Sequence, residues 1–316
     1  MEEFLNEINQ DIKDIFQYDI ETTNAYLVPN RNDPCLTFPI GADKKGKLLE
    51  TCVLMIDIRN STKISRLLKK DKVKLGKIYS SFIYAMTNIA DEYGYVRNIV
   101  GDRVMVVFEP RNCFVDAINC AALMYSVACK ILSKRTGLEE FKIGIGMDYG
   151  EMLVLKTGIQ KRFHEQSEHK GLVWVGDAAN TASKLCDFAS KEYSSPIFKI
   201  TYDHVSLDIF SGFKLTTVSR NLDLNYIDFA KNITVDPNGW KYDGSKVTNF
   251  SIEKRIGTTS PILISGKVYT EFKKLEPKSI YLSKLTSKDY PNKPFTGSGI
   301  YGGYLLVPEI SKIVIA

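Results

Sequence analysis

The stretch TCVLMIDIRNST, residues 51–62, decides how this chain is read. Cys52-Val53-Leu54-Met55-Ile56 is continuously apolar, the pattern of a strand buried on both faces. The run ends on one carboxylate, Asp57. A polar turn follows, Arg59-Asn60-Ser61-Thr62, and then a helical pattern begins. An acid at a strand tip, beside free backbone N–H groups at a helix start, suits a metal ion and a phosphate. The same residues also make an ordinary strand end capped by Asn60 or Ser61.

Working outward, residues 72–93 carry Leu75, Ile78, Phe82, Met86, Ile89 and Tyr93 at steps of three and four, an amphipathic helix that Gly94 stops. Residues 95–100 and 103–108 read as the arms of a hairpin turning at Gly101-Asp102. A helix over about 113–134 follows. Lys142 to Met147 alternates as a strand, is expected to turn at Asp148-Tyr149-Gly150, and returns as Met152 to Leu155. Leu172 to Val175 is a short strand, and Asp177 caps the helix AANTASKLCDFA. The order β-α-α-β-β-α-β-β-(β)-α predicts an α+β, ferredoxin-like layout with helices on a mainly antiparallel sheet.

The flanks are less regular. Residues 1 to about 22 form a short amphipathic helix, with Phe4, Leu5, Ile8, Ile12 and Ile15 on one side, suited to packing or a dimer contact. Two similar phrases, Pro196-Ile197-Phe198-Lys199-Ile200 and Pro261-Ile262-Leu263-Ile264-Ser265, compete for the next strand. Residues 212–258 between them look β-rich, and the glycine-rich 294–307 looks like a final hairpin. The expected division is 1–48 as helix and connection, 49–205 as the core domain, and 206–316 as β-rich insertion plus the domain's C-terminal part.

Composition narrows the function classes. The 316 residues are 44% hydrophobic and 25% charged, ordinary for a globular core. A net charge of +5, spread along the chain, fits a polyanionic small molecule and is too diffuse for nucleic acid. The six cysteines include no CxxC pair, which points to a reduced, cytoplasmic setting. The start MEEFLNEINQ has no signal-peptide apolar region, and no run of 18 apolar residues predicts a membrane span. His164, His169 and His204 have no ligand spacing with the cysteines and read as surface residues.

Chemistry gathers at three places. If the hairpin pairs beside the first strand, Asp57 and Asp102 project at one end of the sheet. Two carboxylates that close repel unless a cation sits between them. Mg²⁺ or Mn²⁺ fits, with the Ile58 carbonyl as a further ligand. Asn180 and Lys184, four apart, share a helix face that offers an amide and a cation to a ribose and a phosphate. Each place also has an ordinary reading, as turn chemistry for Gly-Asp and as a solvated helix face for Asn180 and Lys184.

DIRNST, VGDRVMVVF, IGIGMDYGEMLVL and VGDAANTASKL resemble, in order and spacing, the core motifs of class III nucleotidyl cyclases. The resemblance implies a head-to-tail homodimer of cyclase homology domains with active sites shared at the interface. It implies two metal ions, Mn²⁺ or Mg²⁺, per site on Asp57 and Asp102. It puts the transition-state asparagine on Asn180 and the transition-state arginine on Lys184, which keeps the charge and loses the bidentate fork. The phosphate-cradling turn falls on Arg59, Asn60, Ser61 and Thr62, with Asn-Ser replacing Gly-Phe.

The base-reading positions depart further. Asn98 stands where adenylate-making members carry lysine, and Val173 where they carry aspartate; the guanylate pattern is absent too. Either Arg97 or Asn98 faces the base. This combination resembles the pyrimidine cyclases of bacterial Pycsar anti-phage systems, which make cyclic UMP or cyclic CMP to activate a separate effector. The expectation is therefore a nucleoside triphosphate cyclase acting on UTP or CTP, with no nucleic-acid or membrane partner. An adenylate cyclase with atypical base contacts and an inactive nucleotide-binding module are the alternatives.

Overall fold

The computed structural model describes every residue except 42, 139–140, 159, 162–163, 166–169, 209–213, 291–298 and 314–316. Side-chain surroundings are also left aside at 160–161, 164–165, 206–208 and 214. The side chain of His164 and all of His169 lie outside this description, and His204 is half-buried. The chain forms two units, Met1–Lys191 with Thr259–Ala316, and Glu192–Thr258.

In chain order the first unit opens with α1 (Glu2–Gln17), β1 (Glu21–Asn24), β2 (Lys45–Ile58), α2 (Ser61–Leu67), α3 (Lys72–Tyr93), β3 (Tyr95–Val100) and β4 (Arg103–Val107). It continues with α4 (Cys113–Val127), β5 (Ile143–Thr157), β6 (Gly171–Val175) and α5 (Asp177–Phe188). The second unit holds β7 (Glu192–Asp208), β8 (Lys214–Leu224), α6 (Tyr226–Asn232), β9 (Ile233–Asp236), β10 (Gly239–Tyr242) and β11 (Ser245–Thr258). The chain then returns to the first unit with β12 (Ile262–Ser265), α7 (Gly266–Leu275), β13 (Thr286–Lys288) and β14 (Ile300–Gly303).

Among the described residues the main sheet runs β13-β14-β12-β5-β2-β4-β3, with β1 alongside the start of β2 and β6 alongside the end of β5. Its centre, β5-β2-β4-β3, is antiparallel and has the ferredoxin-like order. The fold is α+β, as expected. The strand TCVLMI is buried from Cys52 to Ile56 because both of its faces are covered. On one face Ile78, Phe82 and Met86 of α3 and Ala117, Ile118 and Ala121 of α4 pack with Leu54 and Ile56. On the other, Ala178, Ala179, Ala182 and Cys186 of α5 pack with Val53 and Met55. Asp71 starts α3 by accepting the Lys74 N–H at 2.8 Å. Gly101 turns the hairpin with φ +63°, a left-handed conformation that suits glycine.

Two expectations change, and one open choice is resolved. No turn forms at Asp148-Tyr149-Gly150: β5 is one strand from Ile143 to Thr157. It pairs with β2 without a break from Lys47↔Val154 to Ile58↔Ile143, and that long ladder overrides the local turn preference. The second unit begins at Glu192, earlier than the expected 206, because β7 pairs as one piece with β8 and β11. Of the two similar phrases, Ile262-Leu263-Ile264 enters the main sheet beside Ile145–Met147, while Pro196–Ile200 lies in β7. Where the chain leaves and re-enters the first unit, the Thr259 N–H donates to the Lys191 carbonyl at 2.9 Å. The C-terminal strands β13 and β14 pair antiparallel, and the segment joining them includes residues 291–298, outside the described set.

No residue of α1 is fully buried: Phe4, Leu5, Ile8 and Ile12 are exposed, and Ile15 is half-buried where Lys44 donates to its carbonyl at 3.0 Å. Among the described residues one helical stretch, Cys113–Thr136, is long and apolar enough to cross a membrane by length and composition. Half of it is buried in the core of the first unit, where its apolar side chains already have a use. All six cysteines are free.

Gly146 of β5 lies directly under α5, where a Cβ would collide with backbone atoms of Ala182, Leu185 and Cys186. Backbone on both sides leaves little room to relax. Gly146→Ala is expected to destabilise the protein by about 2 kcal/mol or more, measured by urea unfolding.

Candidate active site

Asp57 and Asp102 come together. Ile56 pairs with Val104, so the Gly101-Asp102 turn closes directly beside the end of β2. The Asp102 carboxyl lies beside the Asp57 carboxyl and near the Ile58 N–H. Asp102 Oδ2 is buried and has no donor. The Asp102 carboxyl is pushed up to about 6, first by burial and then by the Asp57 carboxylate; its own N–H and that of Ile58 oppose the shift. Two neighbouring carboxyl groups are stabilised by a proton shared between them or by a cation. Among the described residues no three His, Cys, Asp or Glu side chains gather as a metal site. The protein therefore supplies two carboxylates, and a hard cation would complete its coordination from oxygen donors beyond them, such as the Ile58 carbonyl, water or phosphate. The orphaned Asp102 oxygen fits that demand.

The expected phosphate turn divides in two. Asn60 takes a left-handed conformation, φ 58°, and Asn60, Ser61 and Thr62 open α2 at the surface. Arg59 turns inward instead. Its N–H donates to the Lys142 carbonyl at 2.8 Å, continuing the sheet. Its Nη2 donates to the Cys186 carbonyl at 2.6 Å and stands 4.0 Å from Asp57 Oδ2. Gly144 makes room for it, since a Cβ there would strike the guanidinium. Arg59 is 8% exposed, and its side chain joins the end of α5 to the tip of β2 instead of lining the turn.

Sequence reasoning missed Arg103. Its Nη2 donates to Asp57 Oδ2 at 2.9 Å and also to Asp187 Oδ1; its Nη1 donates to Ser183 Oγ at 3.0 Å. The signal was available. Arg103 follows Asp102, and antiparallel pairing of the hairpin with β2 puts it opposite Asp57 on the same face.

Asn180 and Lys184 are both exposed on α5, on the side away from the Ala179–Ala182–Cys186 packing face. Of the base-reading candidates, Arg97 and Asn98 line a cleft of about 630 Å³ with Asn30, Arg31, Asn32 and Lys170. Arg97 is partly committed. Its Nη2 donates to the Val28 carbonyl at 3.3 Å, its Nη1 to the Val96 carbonyl at 3.2 Å, and it lies 4.6 Å from the Tyr95 ring centroid. Asn98 is exposed. Leu172 lines the cleft, whereas the next residue, Val173, is 43% exposed and not among the cleft's lining residues.

The Asp102 carboxyl holds its proton more tightly folded than unfolded. Its contribution to stability is therefore fully present below about pH 4 and is lost as pH rises through about 6. In a chelating buffer, Tm should fall between about pH 4 and 6, and Asp102→Asn should remove that part of the pH profile.

No family model matches the chain. It is 31% identical over 229 residues to a uridylate cyclase from Gulbenkiania mobilis, covering 69% of this chain and 82% of that protein. It is 30% identical over 210 residues to a cytidylate cyclase from Staphylococcus aureus, covering 63% of this chain and 46%, about half, of the relative. A uridylate cyclase from Rhodovulum sp. (strain MB263) is 28% identical over 211 residues, covering 64% and 82%. Among solved structures, the adenylyl cyclase CyaB from P. aeruginosa aligns over 81% of this chain and 94% of its own, at 17% identity and TM-score 0.46. With a carboxylate pair at the sheet end and this identity across 82% of the Gulbenkiania protein, the chain belongs to the nucleotidyl cyclases, in the family of the uridylate and cytidylate cyclases.

Proposed function

We propose that the protein converts UTP, and secondarily CTP, to the 3′,5′-cyclic monophosphate and pyrophosphate, as a homodimer with shared active sites. The observation that carries the reading is the Asp57–Asp102 pair, two carboxyl groups in contact at the end of a buried strand with one oxygen left without a donor. The relatives named uridylate cyclase put UTP first.

Asp57 and Asp102 would hold two divalent ions, Mn²⁺ or Mg²⁺, together with the Ile58 carbonyl. Such ions lower the pKa of the ribose 3′-hydroxyl and neutralise the triphosphate. The 3′-oxygen attacks the α-phosphorus in line and pyrophosphate leaves. The Asn60–Thr62 turn holds the β- and γ-phosphates, with Arg59 behind it fixing the strand tip. Asn180 and Lys184 act from the partner protomer: Asn180 orients the ribose and Lys184 balances charge on the phosphoryl group. Their exposure on α5 supports use across an interface. Asn98, and Arg97 as far as its backbone contacts allow, read the base from the cleft, and Val173 leaves the family's aspartate position without a polar group. By its likeness to the Pycsar cyclases, the product activates a separate effector in anti-phage defence, in the cytoplasm.

Incubation with all four nucleoside triphosphates and Mn²⁺, with the products identified by mass spectrometry, should give cyclic UMP as the main product. Cyclic AMP as the sole product would overturn the pyrimidine reading. Asp57→Ala and Asn180→Ala should each reduce turnover at least about a hundredfold, and mixing the two proteins should restore part of it. Absence of any complementation would count against shared sites.

A further inference from the structure

Arg103 stands between Asp57 and the helix that carries Asn180 and Lys184. One guanidinium reaches Asp57, Ser183 and Asp187 together. An arginine stays charged at any pH the fold tolerates, so its charge leaves a carboxylate only by movement.

We propose that Arg103 is the resting counter-ion of Asp57, a positioning residue that a divalent cation must displace, and that Asp187 receives it when it lets go. This rests on the reading that Asp57 and Asp102 hold such a cation. A guanidinium 2.9 Å from Asp57 Oδ2 already neutralises that carboxylate, and a cation bound to Asp57 would be repelled by it. The pair of acids is asymmetric in the way this role requires. Asp57 already has a cationic partner, whereas the buried Asp102 Oδ2 has none. The side chain has room to shift, since Arg103 is 30% and Asp187 48% exposed. Its second carboxylate contact is already formed, so letting go of Asp57 leaves it paired. Arg59, 4.0 Å from the same oxygen, is held by the Cys186 carbonyl and stays.

The test is binding of Mn²⁺ alone to the full-length protein, with free Mn²⁺ read by electron paramagnetic resonance. Arg103→Gln is expected to bind Mn²⁺ about tenfold more tightly than wild type, because a competing positive charge is gone. Asp187→Asn is expected to bind it severalfold more weakly, because Arg103 then has only Asp57 as a carboxylate partner. A purely structural role would move both variants the same way. That outcome, or an Arg103→Gln affinity no higher than wild type, overturns the inference. If Arg103→Gln does not fold, Arg103→Lys takes its place, with a smaller gain expected from the lost fork and the same overturning result. Asp57→Ala separates the two readings. Retained Mn²⁺ binding in that variant overturns the metal reading and the inference together. Lost binding there, with unchanged affinity in Arg103→Gln, overturns the inference alone.

Discussion

The antiparallel ladder between β2 and β5 sets the position of everything else in the first unit. Its register places Asp57 opposite Gly144 and Met55 opposite Gly146. Those two glycines leave space on one face, and Arg59 and α5 fill it. The same pairing runs β2 out to Ile58, where the hairpin of β3 and β4 brings Asp102 alongside. A slip of one residue would turn Asp57 to the α3–α4 side and bury a carboxylate among Ile78, Phe82 and Ile118. The apolar run from Cys52 to Ile56, buried on both faces, therefore fixes where the chemistry sits.

At that sheet end the protein keeps an electrostatic imbalance in place. Two carboxyl groups touch, one partly neutralised by Arg103 and the other held in a proton-binding state by burial. Folded proteins seldom keep a buried acceptor without a donor. Here the unpartnered Asp102 oxygen lies at the hairpin turn, next to a core in which residues of β2, β4 and α4 are buried together. The imbalance is what gives a cation a reason to bind.

Much of this was legible before the fold was known. The helix over 72–93, the hairpin with its Gly101-Asp102 turn, the helix from Asp177 and the strand ending on Asp57 all follow from periodicity and punctuation, and all stand in the structure. What the sequence misread and what it left open share one cause. Asp148-Tyr149-Gly150 has the composition of a turn, yet it lies inside a strand because its partner strand is equally long. The phrases at Pro196 and Pro261 are locally equivalent, and only the partners available to each separate them. Arg59 and Arg103 are charged residues beside an acid in the sequence; nothing local says that both turn toward α5, more than 75 positions further on.

By itself the sequence determined most of the strands and helices across 51–190, which side chains are available for chemistry, and the family to which their order belongs. These are local properties, set by periods of two and 3.6 residues and by the spacing of a few polar groups. The tertiary structure decided the rest. It made β5 one strand, drew Glu192 into the second unit, turned Arg59 inward, and set Arg103 between Asp57 and Asp187. Each of those outcomes depends on which distant backbone pairs with which, and on the space that two glycines leave beneath a helix. That information is carried by contacts between segments far apart in the chain, where no short stretch of sequence can hold it.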